Sequence, residues 1–429
     1  MHKNVLAMTV VMTMSMMLGS ARGQLGESGV RFKGLRPAQI TQVPIGGGGA
    51  VTYLAQHPQE PDIKYLVADV AGLHRWNPPS QSWTPLHDAF GPDNVRGMHG
   101  ELVAIHPTNP QLLVYSAGTR WATGPYALYR STDGGQTWSD PITLAGTDGK
   151  PTYITNGGTG HRLVFDPHHG QTIYYGSRRG GLFRSDDAGL TWRPIDLLPR
   201  ENTAINFVQF DPTTGGPDGS RVLYVGLSRA SDDGADVEAG IYRSTDGGTS
   251  FHKLFVPPRP EAFGTVDHQG NLFLHRGRLL RWTREQLQAG DFTPQDLTPP
   301  LAAGRTLYSV DIDPNDPNRL ITGTIDGGDP GGLFYSRAGG KTWRSWMNHR
   351  RTGQGEPFTV TGMQPYDPDF GWVCACVHQA TLERADPRRE FIGSGTLGDD
   401  AVAVSRRLAR EPPRVLERRG EPARRDAVV

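Results

Sequence analysis

Apolar and polar residues alternate in short bursts along this chain, and each burst runs into a turn. "YLAQHP" ends at Pro58, "LVAIHP" at Pro107, "LVFDP" at Pro167, "FVQFDP" at Pro212, "SVDIDP" at Pro314 and "VTGMQP" at Pro365, with "GTVDHQG" around Asp267. Alternation with period two predicts strands, and the Asp-Pro or His-Pro pairs predict the turns that end them. A second apolar run follows each turn ("KYLVA", "QLLVYS", "TIYYGS", "VLYVGL", "NLFLHR", "RLITGT", "WVCACV"). A third comes next ("GLHRW", "YALYRS", "GLFRS", "GIYRS", "RLLRW", "GLFYS", "ATLER").

Directly after several third strands one phrase recurs: "RSTDGGQTW" at Arg130 to Trp138, "RSDDAGLTW" at Arg184 to Trp192 and "RSTDGGTSF" at Arg243 to Phe251. A worn copy, "YSRAGGKTW", spans Tyr335 to Trp343 and has Ala338 in the acidic position. Recurrence after a third strand makes this a hairpin connection rather than a reactive centre. Gly supplies positive φ, Ser and Asp accept backbone N–H groups, and the ring packs between sheets. Asp133, Asp187 and Asp246, with Trp138, Trp192, Phe251 and Trp343, are therefore read as structural. The units repeat roughly every 50 residues, which is blade-sized spacing. The expected fold is all-β: a single β-propeller of seven four-stranded blades, the fifth lacking most markers. "RFKGLRPAQITQV" is expected to supply the missing outer strand of the last blade and close the ring.

Composition adjusts this picture little. Gly 55 and Pro 34 suit many short strands, and Lys+Arg 44 against Asp+Glu 44 gives no general positive field, so no nucleic-acid partner is expected. Residues 1–23, with Lys3, an apolar run from Val5 to Leu18 and small residues Ala21 and Gly23, read as a signal peptide; no other segment reads as membrane-spanning. The expected location is secreted or periplasmic. The expected domains are the signal at 1–23, the propeller at 24–390 and an Arg-rich, disordered tail at 391–429 without apolar alternation. Cys374 and Cys376 are two apart on one strand face and read as core residues. His57 and His106 stand where other units have Asp, so they read as turn residues. No metal or cofactor is expected.

Because strands alternate direction, the repeated phrase and the Asp-Pro turns share one rim. The opposite rim, where second-to-third and blade-to-blade connections lie, is the place to look for binding. It holds Asp69, Trp121, Arg178, Arg179, Tyr153, His161 and Asp326, together with Asp232 and Asp233 of a long acidic loop. Aromatic rings, carboxylates and guanidiniums gathered there suit a sugar, which stacks on a flat face and needs paired hydrogen-bonding groups. Ordinary loop polarity explains the same residues equally well.

The recurring phrase is similar to the Asp-box, or BNR repeat, of sialidases, sortilin-like receptors and several glycosidases. The first unit carries more: Asp69, Gly72, Arg75-Trp76, Trp83, Pro85-Leu86, Asp88 and Asp93-Asn94 resemble the opening blade of family 74 glycoside hydrolases, the xyloglucan-cleaving tandem propellers. That resemblance implies a polysaccharide ligand and makes Asp69 the counterpart of the general base of an inverting hydrolysis. Such a mechanism needs a second carboxylic acid roughly 6.5–9.5 Å away. In that family the acid comes from a second propeller, and Ala71 stands where the family usually has Gly. Asp326, Asp232 and Asp233 are the candidates on the same rim. Three readings stay open: a glycan-binding propeller that hydrolyses its ligand, a non-catalytic propeller binding a glycan or a protein, and a fragment of a tandem-propeller hydrolase.

Overall fold

The computed structural model describes residues 39–44, 51–60, 62–68, 72–80, 82–91, 94–117, 127–144, 160–196, 202–230, 237–259, 261–300, 307–324, 331–350, 359–361, 372–373, 380–381, 389–397 and 400–407. They form an all-β propeller. The first blade runs Val51–Gln56, Lys64–Ala68, Gly72–Asn77 and Ser82–Pro85, each strand antiparallel to the one before. Gly100–Ile105, Leu113–Ala117 and Ala127–Ser131 make the second, and a bridge from Leu128 to Ile142 stands in for its outer strand.

The third, fourth and fifth blades open on Leu163–Phe165, Thr203–Phe210 and Phe263–Val266, and each has four strands in chain order. The sixth starts at Leu307–Ile312. First strands of all six blades meet around one cavity of about 330 Å3, contributing Tyr53, Val103, Leu163, Gln209, Thr265 and Val310. First strands are thus innermost, and the cavity is the central channel.

The core lies between blades. Tyr65, Tyr115 and Tyr175, from the second strands of the first three blades, share one buried cluster. Phe207 and Tyr224 of the fourth blade pack with Leu272, Leu274 and Trp282 of the fifth. Sheets covered on both sides read as continuous apolar runs, which is why Lys64–Ala68 and Leu113–Ala117 are buried at every position.

The fifth blade lacks the repeated phrase because a helix, Arg284–Ala289, takes its place. Thr283 and Gln286 form a reciprocal capping box, Leu287 is buried, and Gly290 ends the helix at φ 73°. Two features depart from the sequence expectation. Thr359–Thr361, expected as the inner strand of a seventh blade, instead adds to the outer edge of the sixth beside Arg344–Arg350. Trp372–Val373 does pair with Ala380–Thr381, as the expected second and third strands of that unit should.

The second departure is at the C-terminal side, where strands do not stop at 390: Arg389–Leu397 pairs with Asp400–Arg407. The Ala-Val alternation of "DAVAVS" explains the strand, against the expectation of an unpatterned tail from 391. Gln39–Pro44 pairs with Asp400–Arg407, so the N-terminal segment does meet the C-terminal side, on a strand the expectation had placed in the tail. Residues 1–23, Cys374, Cys376 and the tail beyond 407 lie outside the described residues.

Candidate functional site

The recurring phrase closes on itself. In its first copy Ser131 donates to Asp133 Oδ1 at 2.8 Å and accepts the Gly135 N–H at 2.8 Å. Asp133 also accepts Thr137 N–H on Oδ1 at 3.0 Å and the Thr137 hydroxyl on Oδ2 at 2.6 Å. Ser185 with Asp187, and Ser244 with Asp246, repeat the pattern. Partial burial raises the Asp133 pKa, but hydrogen bonds from Thr137 and Ser131 outweigh it and pull the carboxyl down to about 2. Bonds from Ser250 do the same for Asp246, also to about 2. Carboxylates so fully engaged are turn acceptors.

The turn also receives the preceding blade. The residue after each Asp has positive φ, 73° at Gly134, 56° at Ala188 and 69° at Gly247, which aims its carbonyl sideways. Tyr65 OH reaches Gly134 O at 3.1 Å, Arg130 Nε reaches Ala188 O at 2.9 Å, and Arg184 Nη1 reaches Gly247 O at 2.7 Å. Arg243 continues the series onto the helix of the fifth blade, donating to Leu287 O at 2.8 Å. Trp138 stacks on Phe90 with centroids 5.6 Å apart, while Trp192 and Trp343 donate to Gly189 O and Leu297 O. Phe251 packs against the core shared by the third and fourth blades.

On the same rim, His57 Nδ1 accepts the Gln59 and Glu60 N–H groups, and His106 Nδ1 those of Thr108 and Asn109. Asp166, Asp211, Asp267 and Asp313 use a carboxylate oxygen the same way in later blades. These histidines are neutral turn acceptors, and burial lowers both pKa values. Among the described residues no three His, Cys, Asp or Glu side chains gather as metal ligands.

Chemistry on the opposite rim centres on the channel mouth. Glu101 opens the inner strand of the second blade, Arg162 precedes that of the third, and Arg178 follows the third blade's second strand. Glu101 Oε1 accepts from Arg162 Nη2 and, at 2.9 Å, from Arg178 Nε. Arg162 Nη1 donates to Gly176 O, while its Nε, fully buried, finds no hydrogen-bond partner among the described residues. Glu101 and Arg162 side chains are each 1% exposed and Arg178 16%. Burial, then the Arg162 charge, pulls Arg178 down to about 10, and it remains a cation at neutral pH.

His161 faces the channel, its Nδ1 2.7 Å from Tyr53 OH, so its ring is oriented by the first blade. Burial raises the Tyr53 pKa, keeping the phenol a neutral hydrogen-bonding group. Arg179 is half-buried beside Arg178, and its N–H binds Ser177 Oγ at 3.2 Å. Structure therefore brings Arg178 and His161 to the mouth from different connections, with Arg179 adjacent in the Arg178 loop. Asp69, Trp121, Tyr153, Asp326, Asp232 and Asp233 lie outside the described residues. Glu101, absent from the sequence-derived candidates, was signalled only by a charge at the head of the apolar run "ELVAI".

Residues 126–257 match the family model Sortilin-Vps10, described as sortilin, neurotensin receptor 3. A xyloglucanase of Paenibacillus sp is 27% identical over 400 residues, covering 81% of this chain and 37% of that protein. One from Acetivibrio thermocellus is 33% identical over 260 residues, covering 54% of this chain and 29% of that protein. Among solved structures, a GH74 xyloglucanase from Xanthomonas campestris superposes with TM-score 0.58 at 29% identity, covering 72% of this chain and 47% of that one. A Niastella koreensis GH74 enzyme, 23% identical with TM-score 0.63, covers 85% of this chain and 52% of that one and supports the fold. This chain spans well under half the length of the curated relatives it matches, 37% and 29% for these two. Its blades, its turns and these likenesses together identify a β-propeller related to the family 74 xyloglucanases.

Proposed function

We propose that the chain binds a xyloglucan-type β-glucan on the rim opposite the repeated turns and carries Asp69 as the general base of an inverting hydrolysis. Kinship to xyloglucanases, at 33% identity over 260 residues, carries this reading. Arg178, Arg179, His161, Trp121, Tyr153 and Asp326 would line the glycan path. In such a reaction Asp69 takes a proton from the attacking water while an acid on the other side of the sugar protonates the leaving oxygen. This chain's own assignment ends at the base. Export through residues 1–23 would deliver the protein to its polysaccharide and predicts a mature N-terminus at Gln24.

Hydrolysis of xyloglucan by the wild type and by Asp69→Asn, followed by product analysis, tests the assignment. Loss of a general base lowers turnover by about 10²–10⁴-fold. Turnover unchanged by the substitution removes Asp69 from the role.

A second reading is a non-catalytic propeller that binds a glycan or protein. What favours it is Glu101, the mouth carboxylate, which is buried and held by the guanidiniums of Arg162 and Arg178 rather than open to a ligand. Specific binding of xyloglucan oligosaccharides without products from the wild type would select it.

A further inference from the structure

We propose that the central channel is itself a binding site, for one sugar ring whose hydroxyls meet Gln209, Thr265 and Asp311 while its C–H face lies on Ala55, Ala104 and Val164. This goes beyond the rim reading, since none of these six residues belongs to the glycan path proposed above. The first support is register. Each of the six stands two residues before the acceptor of its blade's first turn, as Gln209 does before Asp211 and Thr265 before Asp267. Each is also paired with the second strand of its own blade. They are therefore equivalent positions forming one level of the ring, and all six line the cavity. Five of them are partly exposed, and Ala104 is buried.

The second support is how chemistry is distributed around that level. The first three blades present two methyl groups and an isopropyl group there, whereas the fourth to sixth present an amide, a hydroxyl and a carboxylate. Three consecutive blades thus place hydrogen-bonding groups where the three before them place only hydrocarbon. Polar groups on an inner strand cost stability unless water or a ligand satisfies them. Gln209 and Thr265 can each donate and accept, and ionised Asp311 accepts, which together match a run of sugar hydroxyls. Asp311 Oδ1 takes the Ile312 N–H at 3.0 Å, so its own strand orients the carboxylate. A pyranose carries hydroxyls around its edge and C–H groups on its face, the two kinds of surface that this level sets opposite each other. The cavity, about 330 Å3, lies at the small end of ligand pockets, roughly 300–1,000 Å3, and suits one ring rather than a chain.

The experiment is a ligand-observed NMR titration of the full chain with D-glucose, D-galactose and D-xylose, beside a xyloglucan oligosaccharide that reads the rim. The expected result is saturable binding of at least one free sugar, weakened about ten-fold or more in Gln209→Leu, which removes an amide from the channel wall. Val164→Phe, which extends the hydrocarbon wall into the channel, should abolish binding of the free sugar and leave the oligosaccharide bound as by the wild type. Melting temperatures confirm that the variants fold, and if Val164→Phe does not, Gln209→Leu decides alone. No saturable binding of any of the three sugars, or binding that Gln209→Leu leaves unchanged, overturns the channel site. Failure of the free sugars with the oligosaccharide still bound overturns the channel site and leaves the rim reading standing. Failure of the oligosaccharide, with a free sugar still bound and still weakened by Gln209→Leu, supports the channel site and overturns the rim reading.

Discussion

At the scale of single residues, the repeated turn divides its hydrogen bonding between a serine half and an aspartate half. The copy at Tyr335 to Trp343 has kept only the first: Ser336 accepts Ala338 and Gly340 N–H groups at 3.0 and 2.9 Å. Gly339 retains positive φ at 60° and Trp343 still bonds Leu297 O. Among the described residues nothing replaces the acceptor that Asp133 gives to Thr137 in the intact copy. Ala338→Asp should therefore regain bonds from Ser336 and Thr342 and stabilise the fold by about 0.5–1.5 kcal/mol. Urea unfolding checks it; a variant no more stable than wild type would mean that the serine half and the ring suffice.

At the scale of elements, blades are joined through third-strand arginines that reach the sideways carbonyl of the next turn. Arg130 is the plainest case, since Nε lies 2.9 Å from Ala188 O across the boundary of the second and third blades. Arg130→Met keeps most of the stem but leaves that carbonyl without its charged donor, and should cost about 1.5–3 kcal/mol. Chemical denaturation against a control at exposed Arg193 would show it, and equal losses in the two variants would refute the special role. The repeated turn was legible in the sequence because its bonds span at most four residues and its side chains are fixed by local backbone needs. The fifth-blade helix was signalled by Thr283 and Gln286 three apart, and Leu287 anchors it, but the sequence reading registered only that this blade lacks most markers. The mouth cluster was not legible: Glu101 and Arg178 are separated by 77 positions, and only the ring brings them together.

At the scale of the whole molecule, acid should loosen the ring in two stages set by its turn acceptors. His57 and His106 each accept two backbone N–H groups on Nδ1, and His57 Nε2 donates to His106 O at 3.2 Å, so both rings must be neutral. The groups acting on them are Glu60 and each other, with Arg130 beside His106 and the Phe165 ring 5.2 Å from it. Burial leads the causes that put both folded pKa values below the ordinary 6.5. The unfolded chain then binds more protons than the folded one. Stability is full above pH 6.5 and declines as pH falls through that value toward the folded pKa values. The aspartates act lower. Their stabilisation is present above the ordinary 3.8 and is lost as pH falls through about 2, where Asp133 and Asp246 titrate. Melting temperature against pH should show a plateau above 6.5, a first decline below it and a second below 4. Replacing both histidines by Asp, the residue that Asp166 and Asp211 present at the same turn position, should erase the first decline and leave the second. The double variant should melt slightly lower at pH 8, because Asp cannot give the bond that His57 gives to His106 O. An undiminished decline just below pH 6.5 in that variant would place the first stage elsewhere than in these two turns.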